Sequence, residues 1–232
     1  NPKKKDRLKV GDEFIIPAIC WSTSLWPLIQ CGLKPKFLDV NINNYCLDEK
    51  LLKKDKKTKL IMNIHILGNS PNMDKLYDFV KSNNMYLIED TCEALGSKFR
   101  SKYLGTFGDF GTYSFYYSHQ ITSGEGGMVV CKTKEDYELL YTMRSHGWDR
   151  GLKNIKKKNN FNFINSGFNL RPMDLTAAIG LSQLKRLNKM IKSRSQNRKL
   201  IINKIKSSRF WDNQFTFFNP SKNLEPSWFG LP

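Results

Sequence analysis

Between Glu13 and Asp90 the chain alternates two kinds of segment, and this alternation restricts the fold more than any other feature. The runs EFIIPA, KFLDV, KLIMNIHI and MYLIED are short and almost continuously apolar. Between them lie STSLWPLIQCG, a helix expected after Asp48, and NMDKLYDFVKSN, all of helical character. A strand loses its polar face only when both sides of its sheet are covered, as in a parallel sheet packed between helices. The sequence therefore predicts an α/β fold with a mostly parallel sheet flanked by helices. Ser22 and Asn72 are expected helix caps. GTYSFYY and GMVVCKT extend the same sheet, joined by the loop that contains His119.

Beyond the helix KEDYELLYTMRSHG, residues 148–170 are polar, basic and irregular, the profile of a functional or partner-contacting loop. From Pro172, placed in a first turn, to Ile205 the pattern predicts one long helix, with Ala177, Leu181, Leu184, Leu187 and Ile191 at helical spacing. The aromatic tail after Phe210 returns to strand-like character. We expect a large domain over residues 1–190, then a linking helix and the start of a small C-terminal domain over 191–232.

A net charge of +17 raises the question of nucleic acid. The charge is mostly scattered lysine, and the runs Lys3–Lys5, Lys53–Lys59 and Lys156–Lys158 lack interleaved stacking aromatics, so solvated faces are the better reading. Cys20, Cys31, Cys46, Cys92 and Cys131 form no C-x-x-C pair and read as reduced, mostly buried thiols. No run approaches the roughly 20 apolar residues of a membrane span, and the first residues lack a signal-peptide core, so a cytoplasmic protein without membrane contact is expected.

In such sheets ligands bind at the carboxyl ends of strands. Four loops there carry candidates. Trp21 follows the first strand and is readable either as a core plug or as a ligand contact. His65 reads as a satisfied polar residue. Glu89 and Asp90 end an apolar strand, where a carboxylate needs a cationic or hydrogen-bonding partner. No His/Cys/carboxylate spacing completes a metal site, and none is expected. His119 lies in a small-residue loop before a glycine pair.

In order, GDEFIIPA, HILGNSPNMD, IEDTCEALGS, LGTFGDFGTYSFYYSHQITSGEGGMVV, RSHG and GFNLRPMDLTAAIGLSQLKRL resemble the DegT/DnrJ/EryC1/StrS family of pyridoxal-phosphate-dependent sugar aminotransferases. The resemblance runs from about Leu8 to Pro232. It implies the aspartate-aminotransferase fold (fold type I), with a phosphate-contacting segment before this chain and most of a small domain after it. It further implies that Trp21 stacks on the cofactor ring and that Asp90 pairs with its pyridinium nitrogen. Glu93 stands where the family usually has Gln, near the cofactor, and Ser114 matches a phosphate ligand. Asn169 matches a residue reaching the neighbouring subunit's cofactor, which implies a homodimer with shared active sites; Arg171 beside it is read as structural.

The chain departs from the family at His119, five residues after Ser114, where the aminotransferases carry the lysine that binds the cofactor covalently. An imidazole cannot form that bond, yet it is a base of suitable pKa. The change resembles the family's 3-dehydratase branch, which acts on nucleotide-linked 4-keto-6-deoxyhexoses. There pyridoxamine 5'-phosphate condenses with the C4 ketone, the histidine takes a proton from the cofactor C4′ carbon, and the C3 hydroxyl leaves. One subtype of the branch uses an iron–sulfur cluster. With no cysteine after Cys131, the cluster-free subtype is expected, in which ammonia is lost and a donor such as glutamate restores the cofactor. The alternatives are a nucleotide-sugar aminotransferase of the same family and a catalytically silent relative.

Overall fold

The computed structural model describes residues 7–152, 161–213 and 216–232. Six strands form the main sheet: β1 (Glu13–Pro17), β2 (Lys34–Leu38), β3 (Thr58–Ile64), β4 (Tyr86–Asp90), β7 (Phe110–Ser114) and β8 (Gly127–Cys131). Their order is β2-β1-β3-β4-β7-β8. All neighbours run parallel except β8, which returns antiparallel along β7. A second, three-stranded sheet joins β6 (Lys102–Tyr103), β5 (Lys98–Phe99) and β9 (Leu224–Glu225).

The apolar runs are explained by burial on both faces. Phe14, Ile16, Leu60, Met62 and Ile64 pack toward helix α1 (Ser22–Gln30), meeting Leu25, Leu28 and Ile29. The alternate residues Ile15, Ile61 and Leu87 pack toward α2 (Met73–Ser82), meeting Met73, Leu76 and Val80. Successive strand side chains point to opposite faces, so each strand serves both cores. Asn72 caps α2 as expected, its side chain accepting from the amides of Asp74 and Lys75. Helix α3 (Lys134–Met143) is capped by Thr133, which accepts from the Asp136 amide.

Several local expectations are corrected. Ser22 is the first residue of α1, and Trp21 holds the cap position without a side-chain cap bond. The helix expected after Asp48 is a single 3₁₀ turn, Glu49–Leu51, with Asp48 accepting from the Lys50 amide. The lysine run that follows places like charges at helical neighbour spacing, which opposes extension. The long helix divides into α4 (Asp174–Leu184) and α5 (Leu187–Lys206), and Pro172 lies before the first of them. At the junction the Arg186 amide bonds to Gln183, a tightened turn that lets Leu187 and Met190 reach the cluster of Leu95, Tyr113 and Ile121. The 190/191 boundary thus falls inside α5. The tail packs back on the main-sheet body: β9 pairs with β5, and Phe218, Leu224 and Trp228 are buried. Of the cysteines only Cys46 is buried, and Cys31 is exposed. The lysines of Lys53–Lys59 are exposed; the runs Lys3–Lys5 and Lys156–Lys158 lie outside the described residues.

One close approach fixes the loop between β6 and β7. A Cβ on Gly111 would stand 2.0 Å from the Gly105 carbonyl oxygen, so only glycine lets this loop lie against β7. We predict that Gly111→Ala destabilises the fold by about 3 kcal/mol through overpacking, measured by urea unfolding; an unchanged midpoint would disprove the close approach.

Candidate active site

Glu89 and Asp90 sit next to each other at the end of β4 and therefore face opposite sides of the sheet. Glu89 is fully buried on the α2 side. Its Oε2 accepts from the Gly105 amide at 2.9 Å, and its Oε1 from the amides of Phe107 at 2.7 Å and Gly108 at 2.6 Å. His65 Nε2 lies 2.9 Å from Oε2. Burial alone pushes this carboxyl upward, but His65 and the loop amides outweigh it and hold Glu89 below the usual range, ionised. His65 is therefore satisfied on one side only: its Nε2 meets Glu89, while its buried Nδ1 has no hydrogen-bond partner among the described residues, which corrects the reading of a fully satisfied polar residue. Tyr113, beside this cluster, donates to the Leu104 carbonyl at 2.6 Å, and burial with the Glu89 charge pushes its hydroxyl up to about 12.

Asp90 faces α1. Its Oδ2 accepts from Ser24 Oγ at 2.6 Å and its Oδ1 from the Cys92 amide at 3.1 Å. Trp21, three residues before Ser24, is 74% exposed at the start of the same helix, which excludes the core-plug reading. Burial, with the Asp90 charge adding to it, pushes the thiols of Cys20 and Cys92 upward. Glu93, one turn beyond, accepts from the Leu67 amide at 2.6 Å; burial raises its carboxyl, this bond opposes it, and Asp90 adds to the rise.

His119 follows β7 in a turn closed by its own amide on the Tyr116 carbonyl at 3.1 Å. Its ring lies between Tyr116, with centroids 6.0 Å apart, and Phe229 at 5.3 Å. Burial pushes the imidazole below its ordinary value, partly opposed by the charge of Asp90. Its Nδ1 is buried and has no hydrogen-bond partner among the described residues. Ser114 ends β7, and its Oγ accepts from the Tyr116 amide at 3.2 Å. Asp90 and His119 are therefore within electrostatic reach, with Glu93 next to Asp90, and Trp21 and Ser114 likewise lie at the carboxyl ends of strands. Asn169 stands apart: it bridges to Ser145, is exposed, and has no described contact to these groups. Arg171 donates to Ser145 Oγ at 3.2 Å. Among the described residues no cluster of three His, Cys, Asp or Glu side chains is placed to hold a metal ion.

Three participants escaped the sequence. Ser24, the partner of Asp90, is 66 residues away from it in the chain. Gln120, buried, donates to the Glu93 carbonyl and, at 3.2 Å, to Ser227 Oγ. Phe229 carried no signal at all, because nothing local ties residue 229 to residue 119.

The mostly parallel sheet, with an anchored carboxylate at the end of β4, is that of the large domain of the aspartate-aminotransferase fold, as the superposition on solved members below shows. The chain belongs to the DegT/DnrJ/EryC1/StrS aminotransferase family, whose profile matches residues 5–228. It is 39% identical over 98% of its length to GDP-4-keto-6-deoxy-D-mannose 3-dehydratase of Escherichia coli O55:H7, covering 60% of that protein. A solved GDP-4-keto-6-deoxymannose-3-dehydratase with a trapped PLP-glutamate geminal diamine superposes with a TM-score of 0.86 at 36% identity, over 97% of this chain and 60% of that one. GDP-perosamine synthase of Vibrio cholerae is 35% identical over 79% of the chain and 49% of its own length. The chain thus spans about 60% of the length of its dehydratase relatives.

Because Glu89 is held below the ordinary carboxylate range, it stabilises the fold above that range, and the contribution is lost as pH falls through its folded value. Glu89→Gln should destabilise the protein by roughly 3 kcal/mol at neutral pH. It should also flatten the acid side of a melting-temperature profile; an unaltered profile would contradict the role given to the loop amides.

Proposed function

We propose that the full-length protein catalyses the vitamin-B6-dependent 3-dehydration of a GDP-linked 4-keto-6-deoxyhexose, using pyridoxamine 5'-phosphate and an amino donor such as glutamate. The observation that carries this is His119, an imidazole where the family's aminotransferases have lysine, with its buried Nδ1 unmatched by any described group. The 3-dehydratase relatives support the reaction and the nucleotide, and the trapped PLP-glutamate species in one of them supports the cofactor and the donor.

The residues present fit such a cofactor. Trp21 offers an exposed aromatic face, Asp90 a carboxylate fixed by Ser24 and the Cys92 amide, and Ser114 a hydroxyl at a strand end for the phosphate. When bound, the cofactor supplies an amine for the sugar ketone and a ring that spreads the electrons released during elimination. Asp90 would keep the ring nitrogen protonated, with Ser24 and the Cys92 amide setting the direction of its oxygens. Glu93 would border the site while its carboxylate holds the 66–68 turn through Leu67. His119, driven toward its neutral form by burial, would take and return a proton.

The family's lysine would hold the cofactor covalently and favour amino transfer; an imidazole moves the proton without that bond. Asn169, between exposed Phe168 and Leu170 in the chain, would serve the site of a second copy. An apolar surface of this kind supports a homodimer. Cys20, Cys31, Cys46 and Cys92 are free thiols, which supports a reducing, cytoplasmic setting, and no described helix is long and apolar enough to cross a membrane. The second reading, amino transfer, is favoured by the GDP-perosamine synthase relative.

Incubated with pyridoxamine 5'-phosphate, glutamate and GDP-4-keto-6-deoxymannose, the full-length protein should release ammonia and a 3,6-dideoxy product. Recovery of a 4-amino sugar would establish the second reading instead. His119→Asn should lower kcat by at least about 100-fold. A base held below the ordinary imidazole value of about 6.5 stays neutral through that pH. The acid limb of the kcat/KM profile should therefore fall below 6.5, and a limb above 7 would argue against His119 as the base.

A further inference from the structure

The tail that returns over the main sheet ends against the proposed base. Ser227 is buried, its amide donating to Ser97 Oγ at 2.9 Å and its hydroxyl accepting from Gln120 Nε2 at 3.2 Å. Gln120 is the residue directly after His119. The next residue, Trp228, is 6% exposed, with the Arg198 guanidinium 4.0 Å above its ring. Its φ is +31°, a left-handed conformation that is costly for a bulky side chain and persists only where surrounding contacts enforce it. Arg194 Nη1 donates to the carbonyls of Trp228 at 3.2 Å and Phe229 at 3.1 Å. The Phe229 amide donates to the Leu67 carbonyl at 2.9 Å, and the Leu67 amide in turn donates to Glu93. Gly68 makes this approach possible, since a Cβ there would stand 2.8 Å from the Trp228 nitrogen.

All of these contacts fix one ring. We infer that Phe229 is a positioning residue for His119: its ring, held by Leu67, Arg194 and the strained Trp228, walls the imidazole from water and sets its orientation toward Asp90. The inference rests on the reading of His119 as the base. Among the described residues, Tyr116, Phe229 and Asp90 act on His119. Tyr116 lies on its own loop, and Phe229 comes from the tail, whose backbone carbonyls Arg194 engages from α5. Asp90 acts from the end of β4 and favours the charged ring, whereas burial favours the neutral one and prevails. An apolar wall lets a histidine sit beside a carboxylate and still be unprotonated near neutrality.

The test uses full-length protein with carbon-13-labelled histidine, free of cofactor. The chain has three histidines, and His119→Asn identifies the signal. Phe229→Ala should raise the titration midpoint of His119. Phe229→Leu, which keeps an apolar wall, should leave it nearer the parent. With cofactor and substrate present, Phe229→Ala should lower kcat at least tenfold with KM little changed, and move the acid limb upward with the NMR midpoint. If the alanine variant does not fold, Phe229→Val, whose smaller side chain uncovers part of the imidazole, decides in its place: a midpoint raised above that of the leucine variant supports the inference, and one equal to the leucine variant and the parent overturns it. Loss of thermal stability with an unmoved His119 midpoint would likewise overturn it, reducing Phe229 to a packing residue. A shifted midpoint in a protein that proves not to dehydrate the sugar would sustain the placement of Phe229 while removing the dehydratase reading.

Discussion

The buried carboxylate of Glu89 is the interaction on which the site's architecture rests. A carboxylate deep in a sheet is tolerated only if each oxygen is matched. Here three amides from the 105–108 loop and one imidazole nitrogen match them. The loop lies in place only because Gly111 leaves room for the Gly105 carbonyl, and the same loop leads directly into β7. β7 in turn carries Ser114 and delivers the turn that holds His119. The acid that does no chemistry thus aligns the strand from which the proposed chemistry is built.

Its neighbour shows how a strand divides labour between two like residues. Asp90 differs from Glu89 by one position, and so by one face of the sheet. It meets a hydroxyl from α1 in place of the loop amides, and it remains half-buried at the strand's carboxyl end, where the family's ligands are bound. Burial raises the neighbouring thiols and Glu93, and the negative charge of Asp90 adds to that rise and pulls on His119. Burial works against that pull at the imidazole. The state of the proposed base is the difference between the two, and the tail residue Phe229 places its ring 5.3 Å from the imidazole.

Much of the sheet was legible along the chain because its cause is local: a strand buried on both faces is apolar throughout, and EFIIPA and MYLIED say so without help. The Asn72 cap was legible for the same reason, since a cap and its helix are adjacent. The errors have a shared origin in tertiary context. The periodicity of residues 172–205 continues through a tightened turn at Arg186, which only the packing of Leu187 and Met190 requires. The short helix after Asp48 had apolar residues but too many adjacent lysines. Trp21, ambiguous as a single letter, is an exposed ring because the helix it precedes is held by Ser24 and not by the indole.

His119 shows where the division falls. The sequence by itself determined that an imidazole stands five residues after Ser114, the position that resembles the family's lysine, because residue identity and short spacing survive without coordinates. It also determined the α/β class, through burial written into composition. Only the tertiary structure decided which carboxylate faces that imidazole, which one is spent on the loop, and that a phenylalanine 110 positions later closes against the ring. Those are contacts between segments far apart in the chain, and no local pattern encodes a pairing whose stability comes from surfaces brought together only on folding.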